Sequence, residues 1–294
     1  MGRAALPRAP TKNWKGRESD MRFIIAIPTR KRPLALRMLI ESAWRLKSED
    51  NEVGFYVGVD DNETNNELNN LSIPTCRTVS SGVSPAAKMN GIIQFAQRDG
   101  YDALTLIGDK CIPITKHWDK VLEYAHEDHP HRIIWWNDPT NPNNTVPSIP
   151  KTFFDAMETH SPIAENKRYV PEYFPFWFVD TWLEEVDCLI WGRPPIRVRA
   201  DFSYFPGPTS GGREFKFWCE LYAKLLPMRL KQAGFMAEVL EPKDFVEGRD
   251  RFYKIFEERD KIRISNCDEY EKHMADPEPP SEMYLEAKER ALGL

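Results

Sequence analysis

The chain has 294 residues, of which 41% are hydrophobic and 12% aromatic, and its 40 basic and 45 acidic side chains give a formal net charge of −5. That is enough apolar material for one large or two small packed domains, and it excludes a disordered or fibrous chain. The acidic balance excludes a uniform polyanion binder, and no apolar run approaches the roughly 18 residues of a membrane span.

In chain order, residues 1–20 come first. Arg3, Arg8, Lys12, Lys15 and Arg17 make this leader basic, and no apolar stretch of the secretory kind interrupts it. A disordered arm is expected there, and a cytoplasmic protein overall. Phe23-Ile24-Ile25-Ala26-Ile27 reads as a buried strand, and so do Phe55 to Val59, Ala103 to Ile107 and Ile133 to Trp136. Between them lie three stripes of helical period: Leu36, Leu39, Ile40, Ala43, Trp44; then Met89, Ile92, Ile93, Ala96; then Trp118, Val121, Leu122, Ala125. Pro33 and Ser84-Pro85 stand where helices begin. Alternation of this kind predicts an α/β fold with a mostly parallel sheet flanked by helices.

The Pro/Asn-rich stretch Asp138 to Pro150 reads as a loop. A helix is expected around Val179 to Ile190 and another after Gly212. The charged segment from Arg249 on reads as helical, with a break at Pro277 to Pro280. The expected division is a leader (1–20), one catalytic-type domain (21–245) and a charged helical C-terminal extension (246–294), packed as an appendage. Five cysteines (Cys76, Cys111, Cys188, Cys219, Cys267) are odd in number and form no C-x-x-C pair, which excludes a disulfide framework and a structural zinc site.

In an open parallel sheet, ligands bind beyond the carboxyl ends of the strands. The residues there are Pro28-Thr29-Arg30-Lys31-Arg32-Pro33, Asp60-Asp61-Asn62-Glu63-Thr64, Gly108-Asp109-Lys110-Cys111 and Asn137-Asp138. Cations and carboxylates therefore converge on one edge, as a diphosphate with a bridging divalent metal requires. The same polar residues also suit ordinary loops. His126-Glu127-Asp128-His129-Pro130-His131 lies at the opposite end and reads as a solvated connection.

Several of these segments together resemble the GT-A-fold glycosyltransferases, in particular the large family-2-like group. Phe23 to Pro33 is similar to that group's opening strand and nucleotide loop, and Val59-Asp60-Asp61-Asn62-Glu63-Thr64 to its second-strand ending, where an aspartate recognises uracil or another base. Ala87-Lys88-Met89-Asn90-Gly91 resembles the segment before the metal motif, and Leu106-Ile107-Gly108-Asp109 falls where that motif stands. Phe176 to Leu183 looks like the acceptor-side helix that begins with the catalytic base. The resemblance covers about Met21 to Ile190.

What it implies is transfer of a sugar from a nucleoside diphosphate, such as a UDP-sugar, to an acceptor hydroxyl with inversion. Pro28, Thr29, Arg30, Arg32, Asp60, Lys88, Asn90 and Asp109 would bind the donor, Asp109 would also hold Mg²⁺ or Mn²⁺, and Asp180 would be the general base. The aromatic residues around Asp180 would raise its pKa, which suits a base, although an aspartate there could equally cap the helix. The sequence departs from the family where Lys110 replaces the second acidic residue of the metal motif. Lys110 could neutralise the pyrophosphate itself and make the metal dispensable. The acceptor would be a glycan, lipid or protein. Two alternatives stand beside this: modification of hydroxymethylated DNA bases, which requires base flipping, and a non-catalytic nucleotide-sugar-binding protein.

Overall fold

The computed structural model describes residues 21–29, 32–59, 76–79, 85–138, 145–160, 169–170, 174, 178–204 and 215–267. The expectations placed on residues 1–20, Arg30, Asp60 and Pro277 to Pro280 lie outside them.

Among the described residues the strands are β1 (Arg22–Pro28), β2 (Glu52–Gly58), β3 (Cys76–Val79), β4 (Ala103–Leu106), β5 (Cys111–Pro113), β6 (Ile134–Asn137), β7 (Pro147–Pro150) and β8 (Ile196–Tyr204). The helices are α1 (Pro33–Leu46), α2 (Pro85–Arg98), α3 (Trp118–Asp128), α4 (Lys151–His160), α5 (Val179–Trp191), α6 (Phe215–Lys224), α7 (Leu226–Leu240) and α8 (Phe245–Ser265). The sheet order is β3-β2-β1-β4-β7-β6-β8-β5. β1 pairs in parallel with β2 and β4, β2 with β3, and β6 with β8, whereas β7 is antiparallel to both β4 and β6 and β5 to β8. Six strands therefore point one way and only β7 and β5 run against them, so the α/β, mostly parallel expectation holds.

Alternation along β1 assigns the two layers. Ile24 and Ala26 face a core shared with α2, α4, α5, α6, α7 and α8. Phe23, Ile25 and Ile27 face a second core shared with α1 and α3. Both faces are covered, which is why the central strands read as unbroken apolar runs.

Two expectations need correction. The supposed loop at its end, Pro147 to Pro150, is β7, fully buried between β4 and β6. Proline lacks an N–H and is rare inside sheets; here both prolines sit at the ends of the strand, where Pro147 faces Trp135 and Pro150 faces Ala103. His126 is not solvated either. It is buried on α3 with Nε2 2.9 Å from Ser148 Oγ, and burial drives its pKa down to about 3.

The expected C-terminal appendage begins inside the core. Phe252, Phe256 and Cys267 belong to the larger apolar cluster. Gly192, the left-handed C-cap of α5, touches Gly248 of α8 so closely that a Cβ on Gly192 would meet Gly248 Cα at 2.4 Å. Below that contact Arg229, with no exposure, pairs with Glu185 at 2.7 Å and Asp260 at 2.9 Å, and its guanidinium lies 3.9 Å from the Tyr222 ring centroid. Arg259 joins Glu184 at 2.9 Å and Arg263 joins Asp260 at 2.6 Å. This buried ionic lattice ties α5, α6, α7 and α8 into one body. Cys111, Cys188, Cys219 and Cys267 are buried free thiols.

Candidate active site

The chain leaves β1 for β2 and β3 on one side, then returns to place β4 on the other side of β1. The strand order thus reverses between β1 and β4, and in open α/β sheets the ligand crevice lies past the carboxyl ends of the strands at such a reversal. The side chains that follow them meet across it. Thr29 Oγ1 donates to Asp109 Oδ2 at 2.8 Å, and Arg32 Nη1 donates to Asp109 Oδ1 at 3.0 Å. Asp109 is almost wholly buried, whereas the Arg32 side chain is 37% exposed and reaches the surface of the crevice.

Local rules explain this meeting. Pro33 sits in the first turn of α1, and Arg32 is the N-cap residue. A cation at the positive end of a helix is unfavourable by itself, and α1 has no acidic residue in its first turn. Asp109 supplies the missing negative charge from the turn between β4 and β5. Lys88, buried on the first turns of α2, donates from Nζ to the Thr29 carbonyl at 2.8 Å. Its stem lies on Gly58 at the end of β2, where a Cβ would come within 2.8 Å of Lys88 Cβ, so glycine is required there. Thr29 N completes the edge by donating to Gly58 O at 3.0 Å.

Further along the same edge, burial and the nearby carboxylates of Asp109 and Asp138 push the Cys111 thiol up to about 12. Tyr204 donates its hydroxyl to Asp138 Oδ2 at 2.7 Å, and Asn137 Nδ2 to Asp201 Oδ1 at 2.7 Å. Asp201 and Tyr204, on the outer end of β8, were missed by the sequence reading. The alternating Ile-Arg-Val-Arg-Ala-Asp-Phe-Ser-Tyr pattern of β8 was the available signal.

Asp180 stands in the first turn of α5. At the other end of α5, Asp187 accepts Ile133 N at 3.3 Å and Arg132 Nη2 at 2.6 Å, beside the start of β6. Asp180 precedes Asp187 by seven residues, about 10 Å along the helix. Burial lifts its pKa to about 6, against the opposing bond from Thr181 N to Oδ1 at 2.8 Å; the Glu184 charge adds to the rise. The capping alternative is corrected: the N-cap is Phe178, in the left-handed conformation at φ 71°, and Asp180 is the second residue inside the helix. Phe178 stacks on Tyr222 at 4.5 Å between ring centroids, which fixes the start of α5 on α6.

Asn90 lies on α2 and is tied to backbone. Its Oδ1 accepts Tyr169 N and Val170 N, both at 2.9 Å, and its Nδ2 donates to Val170 O at 3.0 Å. Three bonds thus tie the carboxamide to backbone, and Asn90 holds the 169–170 segment against α2. Pro28, half-buried, closes β1 beside the crevice.

The residue that would carry a divalent metal is engaged by other groups. Both oxygens of Asp109 are engaged by donors, Lys110 follows it, and among the described residues no group of three His, Cys, Asp or Glu side chains could hold a metal ion. No described helix is long and apolar enough to cross a membrane.

No protein-family profile matches the chain, and no curated protein does. Solved structures similar to it include a mannosyltransferase from Pyrobaculum calidifontis in complex with GDP-Man and Mn²⁺, at 8% identity and TM-score 0.47, covering 90% of this chain and 91% of that one. Another is glucosyl-3-phosphoglycerate synthase from Mycobacterium tuberculosis with Mn²⁺, UDP and phosphoglyceric acid, at 10% identity and TM-score 0.46, covering 71% and 78%. A third is CMP:2-keto-3-deoxy-manno-octonic acid synthetase complexed with CTP, at 11% identity and TM-score 0.41, covering 64% and 92%. Likeness at this level bears on no residue and no activity of this chain.

Proposed function

We propose that the chain is a nucleotide-sugar-dependent glycosyltransferase whose donor lies in the crevice between β1 and β4. The observation that carries this reading is the cluster of Thr29, Arg32, Lys88 and Asp109 at the point where the strand order reverses. A diphosphate needs cations and backbone dipoles, and the N-terminus of α1 with Arg32 provides both. Arg30 and Asp60, which lie outside the described residues, belong to the same donor site in this reading.

Asp180 is the general base. A carboxyl group with a pKa of about 6 is ionised at neutral pH yet more basic than an ordinary aspartate. It takes the proton of an acceptor hydroxyl as the oxygen attacks the anomeric carbon. The bond from that carbon to the diphosphate oxygen breaks, and its electron pair leaves with the nucleoside diphosphate. Attack and departure on opposite faces give inversion. Stabilising the charge on the leaving diphosphate is the larger catalytic effect.

The test is transfer or hydrolysis of UDP-, GDP-, CMP- and dTDP-linked sugars by the wild type and Asp180→Asn. Turnover of one donor class, lost in the variant with donor binding intact, is the expected result. Absence of turnover and binding for every donor would overturn the reading.

A further inference from the structure

We infer that the leaving diphosphate is neutralised by Arg32, held in place by Asp109, and that no divalent cation is needed. The inference rests on the donor reading above and concerns the charge that the site itself supplies. A carboxylate that serves a metal must present at least one oxygen to it. In this chain each oxygen of Asp109 already accepts a donor, Oδ2 the Thr29 hydroxyl and Oδ1 Arg32 Nη1, so a cation that reached it would sit against the Arg32 guanidinium.

The surroundings are cationic as well. Arg32 caps the positive end of α1, Lys110 follows Asp109 in the chain, and Lys88 is buried one residue contact away, on Thr29. A divalent ion placed beside Asp109 would face the Arg32 guanidinium and the positive end of α1, whereas a diphosphate would be attracted by both. A guanidinium carries five N–H donors in a fixed fork, so the one given to Asp109 still allows a bidentate grip on phosphate oxygens. Asp109 is then a positioning residue. It aims the cation that a metal would otherwise replace, and Thr29 fixes the carboxylate in turn.

The experiment is calorimetric binding of UDP and GDP to the full chain, in EDTA and in saturating MnCl₂, for the wild type, Arg32→Ala and Arg32→Lys. The expected result is one nucleotide whose Kd is the same in both buffers, and a loss of at least about tenfold in Arg32→Ala, the scale of a charged hydrogen bond. Arg32→Lys keeps the charge but loses the fork, and is expected to fall between them. Arg32 is partly exposed at a helix end, so both variants should fold, which their circular dichroism melts check. Binding that requires Mn²⁺, or Mn²⁺-dependent binding that improves in Arg32→Ala because Asp109 is released, would overturn this inference and leave the transferase reading standing. Failure of both nucleotides to bind in either buffer would remove the basis of this inference, and the same failure across every donor would remove the transferase reading.

Discussion

Thr29 and Asp109 are 80 residues apart in sequence, yet the hydroxyl of one donates to the carboxylate of the other across the crevice between β1 and β4, at 2.8 Å. The bond is buried, so its loss leaves a buried acceptor with one donor fewer. Thr29→Val keeps the shape and removes only the hydroxyl. Expected are a loss of about 1–3 kcal/mol in unfolding free energy, read by urea denaturation, and weaker nucleotide binding because Arg32 loses its fixed support. Unchanged binding would mean that Asp109 holds Arg32 without Thr29.

Asp180 links pH to both activity and stability. Its folded pKa of about 6 lies above its ordinary value of 3.8, chiefly because burial disfavours the charge. The folded state therefore holds the proton more tightly than the unfolded one, and stability is lost as pH rises from about 4 to about 6. Asp180→Asn removes that penalty. The variant is expected to melt higher than the wild type at about pH 8 and to match it at about pH 3.5, where both states of the wild type are protonated. Turnover should rise in the wild type with an apparent pKa near 6, and fall by about 10²- to 10⁴-fold in Asp180→Asn. A pH–rate profile without that limb would remove Asp180 from the proton transfer.

The β1–β4 edge shows how much could be read before folding. Unbroken apolar runs located β1, β2, β4 and β6, because these strands are covered on both faces, and stripes of period 3.6 located the first three helices. The strand-end rule then placed Thr29, Arg32 and Asp109 together. The short strands were hidden: β5 has three residues and β7 is bounded by prolines, so neither carries a period. The backbone bonds of Asn90 were hidden because a carboxamide is equally suited to a ligand or to backbone, and only the fold brings Tyr169 and Val170 to it. The ionic lattice beneath α5 was illegible for a related reason. Arg229, Glu185 and Asp260 look like surface charges one at a time, and become buried only when α5, α7 and α8 close on one another.

Glycines provide a paired test of the helical layer. Gly192 is left-handed at φ +60° and abuts Gly248, so a methyl group on either would meet backbone at 2.2–2.4 Å. Gly248→Ala is expected to lower the melting temperature sharply by separating α5 from α8. Gly234, inside α7, has nothing within 4 Å of its Cβ position. Gly234→Ala should stabilise by about 0.5–1 kcal/mol, the ordinary helix preference for alanine. Thermal unfolding of the two variants checks both signs, and a neutral Gly248→Ala would mean that α8 is not packed as described.

Breaking the lattice around Arg229 should be costlier than any surface change. Arg229 and Glu185 are both fully buried, and Asp260 nearly so. Burying these ions opposes folding, and their mutual attraction offsets that cost only while every partner is present. Arg229→Met leaves Glu185 and Asp260 facing each other with Arg259 and Arg263 alone to balance them. The expected loss is about 3–5 kcal/mol, measured by urea unfolding. Because burial and the Glu185 charge already raise the Asp260 pKa, removing Arg229 should raise it further. The folded variant would then take up a proton at higher pH than the wild type does, so its deficit should shrink as pH falls below neutrality. A deficit that is independent of pH would assign the loss to the cavity left by the guanidinium stem instead of to the two carboxylates.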